Sequence, residues 1–279
     1  MIKRIKRNEI DITKYTNCLN QAINYRIYAE YWYLDCLTNK QWDCLVLNDY
    51  EAIMPLPFQK KLGVKIIAQP IYCQQLGVFH QANFSKDNFL LFYKRLKTNL
   101  VRGYHFNEEN TSSFNPNGIK KINQIIELPA ETSKNYNAMV LRNLIKFKKN
   151  NFQMTSCTIE EFISNKLKFA NHSVNQEQLK KLLITLNRFE SLNINTIKNN
   201  EILAANILIQ AKNRTYYLDA FTTDEGKKNK AATGLIDCAL NSTESIFDFE
   251  GSSIPSIQKF YSGFGAKTKY YTVYKNLPL

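Results

Sequence analysis

The chain has no run of 18 apolar residues, so a membrane-spanning helix does not organise it. Its start, MIKRIKRNEIDI, is basic but lacks the apolar stretch of a signal peptide. Glycine and proline are scarce, nine and seven among 279 residues, which excludes collagen-like and low-complexity architectures. The histidines, His80, His105 and His172, are scattered and show no zinc spacing, so no metal is expected. None of the cysteines (Cys18, Cys36, Cys44, Cys73, Cys157 and Cys238) forms a C-x-x-C pair. They read as reduced, mostly buried thiols, and the expected location is cytoplasmic. No Ser-His-Asp order or paired nucleophile stands out. Acidic residues are outnumbered, 24 against 37 Lys and Arg, for a net charge of +13. That basic excess suits an anionic partner: nucleic acid, a polyphosphate cofactor, or an acidic lipid or polymer. Lysine and asparagine are abundant throughout, so only a concentration of charge on one element would identify a site.

The composition is 44% hydrophobic, enough for a sizeable core. At this length about three quarters of the unfolded surface can be buried. Two helices open the chain: 11–25, with Asp11 as N-cap, and 26–37, whose Tyr28, Tyr31, Trp32 and Leu34 read as core packing. Strands follow at 42–47, 52–57 and 65–69, the first two joined as a hairpin through Asn48-Asp49-Tyr50-Glu51. After the polar Gln74-Gln75-Leu76-Gly77 come a helix at 85–99 and a strand at 103–107. The last third repeats that order. Strands at 194–197, 202–210 and 215–220 precede a polar loop at 222–229, a helix to Leu240 and a strand at 246–249. Between the repeats lie a helix at 138–150 and two more, one capped by a Thr158/Glu161 box and one by Ser173/Gln176. The expected fold class is therefore α/β (α+β), with two tandem modules at 1–128 and 129–279, divided before Pro129. Each module is expected to be a mixed, largely antiparallel sheet flanked by helices, with one crossover helix.

The stretch FDFEGSSIPSIQKFYSGFGAKTKYYTVY (247–274) is the most informative. Asp248 and Glu250 alternate with Phe247 and Phe249, which on a strand puts both acids on one face and both rings on the other. Ser253 is the expected N-cap of the following helix, Pro255 suits its first turn, and Gly263 and Gly265 end it. Upstream, Lys227, Lys228 and Lys230 precede a helix, where a dipole and unpaired amides favour an anion. On the helix at 138–150, Arg142, Lys146 and Lys149 recur at i, i+4 and i+7 as a basic stripe. Val140, Leu141, Leu144, Ile145 and Phe147 are expected to be buried opposite it. The stripe suits a phosphate or carboxylate of an acceptor, or an RNA backbone.

Asp248-Phe249-Glu250-Gly251-Ser252, followed by Phe260, Tyr261, Phe264 and Gly265, resembles the C-terminal end of the Fem-type branch of the GNAT acyltransferases. The run WDCLVLNDYEAIMPLPFQKKLG, with QPIYCQQLGVF after it, is also similar to members of that group. The resemblance covers nearly the whole chain and implies two tandem GNAT-like modules. Fem ligases carry a long coiled-coil arm, for which there is no candidate here, so a compact relative is implied. The implied activity is N-acyl transfer: an acyl or aminoacyl group moves from acyl-CoA (acetyl-CoA), or from aminoacyl-tRNA, to a small-molecule or peptide amine by direct attack. The family's phosphate loop reads Q/R-x-x-G-x-G/A. Lys227-Lys228-Asn229-Lys230-Ala231-Ala232 takes that place, with Lys227 first, Ala232 last and Lys230 replacing the central glycine. A side chain at that position hinders close backbone approach. In the first module Gln74 and Gly77 fit the pattern, but Phe79 replaces its final small residue. The first module is expected to contribute to acceptor binding, through Gln74 and Gln75, together with Arg142, Lys146 and Lys149. Asp219, Asp248 and Glu250 are the candidate bases, and Tyr261 the candidate acid toward a leaving thiolate. A second class of function stays open: a noncatalytic binding module for nucleic acid or an acidic polymer on a degenerate GNAT fold.

Overall fold

The computed structural model describes residues 1–128, 135–152, 154–169 and 175–277. Pro129, His172 and Ser173 lie outside them. The chain divides into two compact units, Met1–Lys121 with Tyr270–Leu279, and Ile122–Lys269. Among the described residues no helix is long and apolar enough to cross a membrane.

The first unit opens with β1 (Ile2–Lys6), α1 (Ile12–Gln21) and α2 (Tyr31–Thr38). Asp11 caps α1 as its sequence position suggests, accepting from the Lys14 amide at 3.0 Å. The aromatic segment expected as one helix over 26–37 is broken, because Glu30 is extended between a 3-10 turn and α2. Strands β2 (Trp42–Leu47), β3 (Ala52–Lys61) and β4 (Val64–Ala68) follow as an antiparallel meander. The short β5 (Phe79–His80) pairs with the start of β3. Helix α3 (Lys86–Lys97), capped by Ser85, crosses over to β6 (Leu100–Phe106), which lies parallel to β4. Helix α4 (Glu108–Phe114) then leads into β7 (Ile119–Glu127).

In the second unit, α5 (Ala138–Lys148) precedes β8 (Met154–Ser156), α6 (Ile159–Phe169) and α7 (Gln176–Arg188). The Thr158/Glu161 capping box is formed, with amide bonds of 3.0 and 3.1 Å. The N-cap of α7 is Asn175. Strands β9 (Leu192–Asn199), β10 (Glu201–Ala211) and β11 (Arg214–Thr222) form a second antiparallel meander. A five-residue helix, α8 (Asp224–Lys228), occupies the segment expected as a polar loop. The Thr223 hydroxyl starts it by accepting from the Gly226 amide at 3.0 Å. Gly226 is required there, since a Cβ would sit 2.0 Å from the Leu203 carbonyl oxygen. Helix α9 (Ala231–Asn241) crosses over to β12 (Ile246–Asp248), parallel to β11, and α10 (Pro255–Ser262) and β13 (Lys267–Tyr274) complete the chain.

The order strand, two helices, three-stranded meander, helix, strand, helix, strand thus occurs twice, from β1 to β7 and from β8 to β13. This repeat is longer than the sequence pattern suggests. The last strand of each repeat pairs with a strand of the other repeat. Strand β7 pairs with β12, and the end of β13 pairs with β6.

One buried ion pair fixes the parallel β11/β12 contact. The Arg214 guanidinium donates to Asp248 at 2.5 Å, with side chains 5% and 1% exposed. The other Asp248 oxygen accepts from Asn123 on β7 at 2.9 Å and from the Glu250 amide at 2.8 Å. Removing one member of such a pair strands the other in a medium that cannot solvate it, at a cost of about 3–5 kcal/mol. Asp248→Ala is therefore expected to lose about that much stability, read as a shift of the urea midpoint. The alkaline limb carries a second expectation. Burial pushes the Tyr15 and Tyr104 phenols and the Cys44 thiol well above their ordinary values, and the Cys18 thiol up to about 12. Their unfolded counterparts ionise near 9.0 for the thiols and 10.0 for the phenols, while the folded groups keep their protons. This stabilisation is intact below that range and is lost as pH rises through it. The urea midpoint should fall progressively above about pH 9.

Candidate active site

The site is built where β11 and β12 part. Their parallel pairing runs only from Arg214 to Tyr216 against Ile246 to Asp248, whereas β11 continues to Thr222. Beyond Tyr216, β11 is paired on one side only, with β10. A bulge lies in this stretch: Tyr217 and Asp219 face consecutive residues of β10, Leu208 and Ile207, leaving Leu218 over. Bulges re-aim side chains beside the ladder they interrupt.

Asp219 leaves the strand into an ion pair with Lys166 of α6, and it also accepts from the Ala220 amide at 2.8 Å. Lys166 is 8% exposed. It shares a stripe of α6 with the buried Phe162 and the more exposed Phe169, whose rings lie against Phe221. The sequence reading did not single out Lys166, because a lysine at i+4 from a buried Phe reads as a solvated edge. Only the heptad-like spacing of Phe162, Lys166 and Phe169 marks it as inward.

Across the fork, Phe249 stacks on Tyr261 of α10 at 4.3 Å, and Tyr217 meets the same phenol edge-on at 6.1 Å. Burial, with added repulsion from the Glu250 and Asp219 charges, pushes the Tyr261 phenol well above its ordinary value. The Tyr217 phenol is raised too, by burial first and then by Tyr261 and Asp219. Asp219, Glu250 and Tyr261 are therefore brought into one electrostatic neighbourhood. Asp248 points elsewhere, into the pair with Arg214. The two acids do not share a strand face, because β12 ends at Asp248 and Glu250 turns left-handed, at φ 54°. Gly251 follows at φ 61°, and a Cβ there would come within 2.5 Å of the Ile122 carbonyl oxygen. The α10 N-cap is Ile254, one residue later than expected, with Pro255 at the first helical position.

Just past the open end of β11, Lys227 and Lys228 close α8, and Asn229 and Lys230 join it to α9. Lys230 is the N-cap of α9 and adopts φ 61°. The residue that replaces the expected glycine thus holds a glycine-like backbone, at a cost of about 1–2 kcal/mol. Its carbonyl accepts from the Thr233 and Gly234 amides. Its side chain caps nothing, so the Ala231 and Ala232 amides are the donors that the helix start leaves over. Lys227 pairs with Asp224 at 2.8 Å, on the surface. Helix α9 is seated by α5, where Gly234 admits the Phe147 ring and a Cβ would lie 2.3 Å from it.

The basic stripe of α5 is exposed at Arg142, Lys146 and Lys149, and none of these has an ion-pair partner among the described residues. The buried face of α5 is narrower than expected. Val140, Leu144 and Phe147 are buried, but Leu141 and Ile145 are 41% and 60% exposed. Their 100° steps carry them past the contact with α9. Gln74 and Gln75 belong to the first unit. Gln75 is buried, accepting from the Glu108 amide at 3.0 Å and donating to Gln74 at 2.8 Å. The Gln74 carbonyl contacts His105 Nδ1 at 2.8 Å. Among the described residues no group of His, Cys, Asp and Glu is placed to hold a metal ion.

No protein-family model and no curated protein matches the sequence. Solved structures do match in shape. FemX aligns with a TM-score of 0.70 at 8% identity, covering 98% of this chain and 97% of its own. The L-PGS from Bacillus licheniformis aligns at 0.54 and 12% identity, covering 96% and 93%. A tandem GNAT protein from the clavulanic acid biosynthesis pathway aligns at 0.52 and 6% identity over 100% of both chains. With the strand order repeated twice, the chain has the Fem-type, tandem GNAT-like fold.

Proposed function

We propose that the second unit is an N-acyltransferase that moves an acyl or aminoacyl group from acyl-CoA, or from aminoacyl-tRNA, to an amine. The observation that carries this reading is the fork itself: a strand edge unpaired beyond Tyr216, bordered by the helix start at Ala231. Such an edge offers amides to an extended donor, and the helix start offers two more to its phosphates. Lys227, Lys228 and Lys230 add charge around that start, and Asn229 lies between Lys228 and Lys230. Ala231 is buried and Ala232 half-buried, and neither places a long side chain at the helix start, which fits a pyrophosphate held from the Lys230 side. Bound there, acyl-CoA would supply an activated thioester carbonyl.

In the reaction, the amine nitrogen bonds to the acyl carbon, the carbon–sulfur bond breaks, and the thiolate leaves. Asp219, held by Lys166, accepts the proton that the amine loses, directly or through water. Glu250 is the second carboxylate near enough to Tyr261 to share that task. The Tyr261 phenol keeps its proton across the neutral range and gives it to the departing sulfur. Amides on the β11 edge other than that of Ala220, which Asp219 holds, stabilise the oxyanion. Arg142, Lys146 and Lys149 of α5 are assigned to the acceptor. For aminoacyl-tRNA the same basic stripe would meet the phosphate backbone. The noncatalytic alternative gains no observation of its own.

Acetyl-CoA at one hundred times its Kd should stabilise the protein by about 2.7 kcal/mol. That is about 5–10 °C in Tm for units of this size. The change Lys227→Ala, Lys228→Ala, Lys230→Ala should abolish the shift, and an undiminished shift would remove the cradle from this loop. Salt-dependent tRNA binding without any response to acetyl-CoA would assign the donor to tRNA instead. In acyl transfer to a panel of amines, followed by release of free thiol, Tyr261→Phe should lower kcat by about 10²-fold or more while Tm changes little. An unchanged kcat would exclude the phenol as the acid.

A further inference from the structure

A cavity of about 290 Å³ opens in the first unit, away from every residue assigned to acyl transfer. Its lining carries five cations, Lys6, Arg7, Lys40, Lys60 and Lys65, against a single acid, Asp43. That acid is already saturated. Its side chain is 4% exposed, and one oxygen takes both Arg4 and Lys65 at 2.8 Å. It does not repel an anion, because two cations outweigh it.

Two of the five cations are held in place. Arg7 makes a two-pronged pair with Asp35 at 2.7 and 2.6 Å, and its guanidinium lies over the Trp42 ring at 5.4 Å. The Lys65 ammonium, besides meeting Asp43, sits 4.2 Å from the centre of the Phe58 ring. Trp42 and Phe58 are themselves buried, so the floor of the cavity is rigid and apolar. Fixed cations lose little side-chain entropy when a ligand arrives. The other cations differ. Lys40 and Lys60 are exposed and have no ion-pair partner among the described residues. Lys40 follows Asn39 in a second consecutive left-handed conformation, φ 61° after 51°. That turn carries the chain from α2 into β2 and sets Lys40 in the cavity lining at a backbone cost of about 1–2 kcal/mol. Asp35, Asp43 and, more loosely, Glu9 offset Arg7, Lys65 and Lys6, which leaves Lys40 and Lys60 uncompensated, and an anion relieves their repulsion.

We propose that this cavity binds an anionic ligand through a phosphate or pyrophosphate group. Lys40 and Lys60 close on the oxygens, while Arg7 and Lys65, lying over the buried Trp42 and Phe58 rings, set the field. The volume suits a sugar phosphate or a single nucleotide.

The test is calorimetric titration of the full chain with pyrophosphate at low ionic strength. The Lys227→Ala, Lys228→Ala, Lys230→Ala form serves as the parent, so that the loop proposed for the donor does not contribute. One saturable site is expected. Adding Lys40→Ala and Lys60→Ala should weaken it at least about tenfold. Adding Lys86→Ala and Lys94→Ala, an equal loss of charge on α3, should change it less than about twofold. No saturable heat in the parent, an unchanged affinity in the Lys40/Lys60 form, or an equal loss in the α3 control would each overturn the proposal. AMP, and vesicles of phosphatidic acid in phosphatidylcholine, then separate a soluble phosphate ester from a lipid headgroup. Competition by either probe against pyrophosphate upholds the site, and competition by neither overturns it.

Discussion

The second unit depends on a parallel contact only three residue pairs long, held by a buried guanidinium and carboxylate. A longer pairing would zip β11 to β12 along its whole length and leave no edge. No pairing at all would leave Arg214 and Asp248 buried without each other. The ion pair therefore acts as a rivet at the base of the fork, and the Asn123 bond extends its grip to β7. The groups proposed for the chemistry lie beyond it: the bulge that frees Leu218, the Asp219–Lys166 pair, and the stacked rings of Phe249 and Tyr261. Asp248 and Glu250, two residues apart, are divided between these tasks. One is held in the ion pair and the other's charge is felt by the Tyr261 phenol, and the left-handed turn at Glu250 and Gly251 separates them.

Much of the architecture was legible because its signals are local. WDCLVL declares a buried strand, and β2 occupies that segment. Asp11, Ser85 and the Thr158/Glu161 box announce helix starts within three residues of the groups they bond. Local signals fail where the partner is distant in sequence. Lys166 and Asp219 are 53 residues apart, and no spacing rule joins them. Arg214 and Asp248 are 34 apart, so Asp248 looked like a free acid. Weak local propensity hid other elements. Helix α4, EENTSSF, has few good helix formers and stands on its Asn107 cap. Strand β1, IKRIK, reads as a charged tail until its antiparallel pairing with β2 is known.

Lys230 departs from the family's motif in residue type but not in backbone conformation. The family pattern places glycine there, and a lysine argues against a phosphate cradle on steric grounds. The backbone nevertheless takes the conformation that glycine would favour, so the chain accepts local strain and places an ammonium where the pattern has only a hydrogen atom. Positive charge is thus built into the loop itself. The first unit uses a left-handed lysine as well, at Lys40, in a different part of the fold.

The exchange of terminal strands has a consequence for how the molecule is made. The first unit's sheet is finished by Tyr270–Tyr274, and the Asn276 side chain accepts from the Val101 amide, 175 positions upstream. Strand β7 has its partner, β12, in residues synthesised more than a hundred positions later. During translation the first half emerges with one flank of its sheet exposed, and it waits for the final residues to cover it. Such long-range closure slows maturation and leaves an adhesive edge open meanwhile. The two repeats are therefore not separable parts: a chain cut between them would give two fragments, each missing a strand that the other holds.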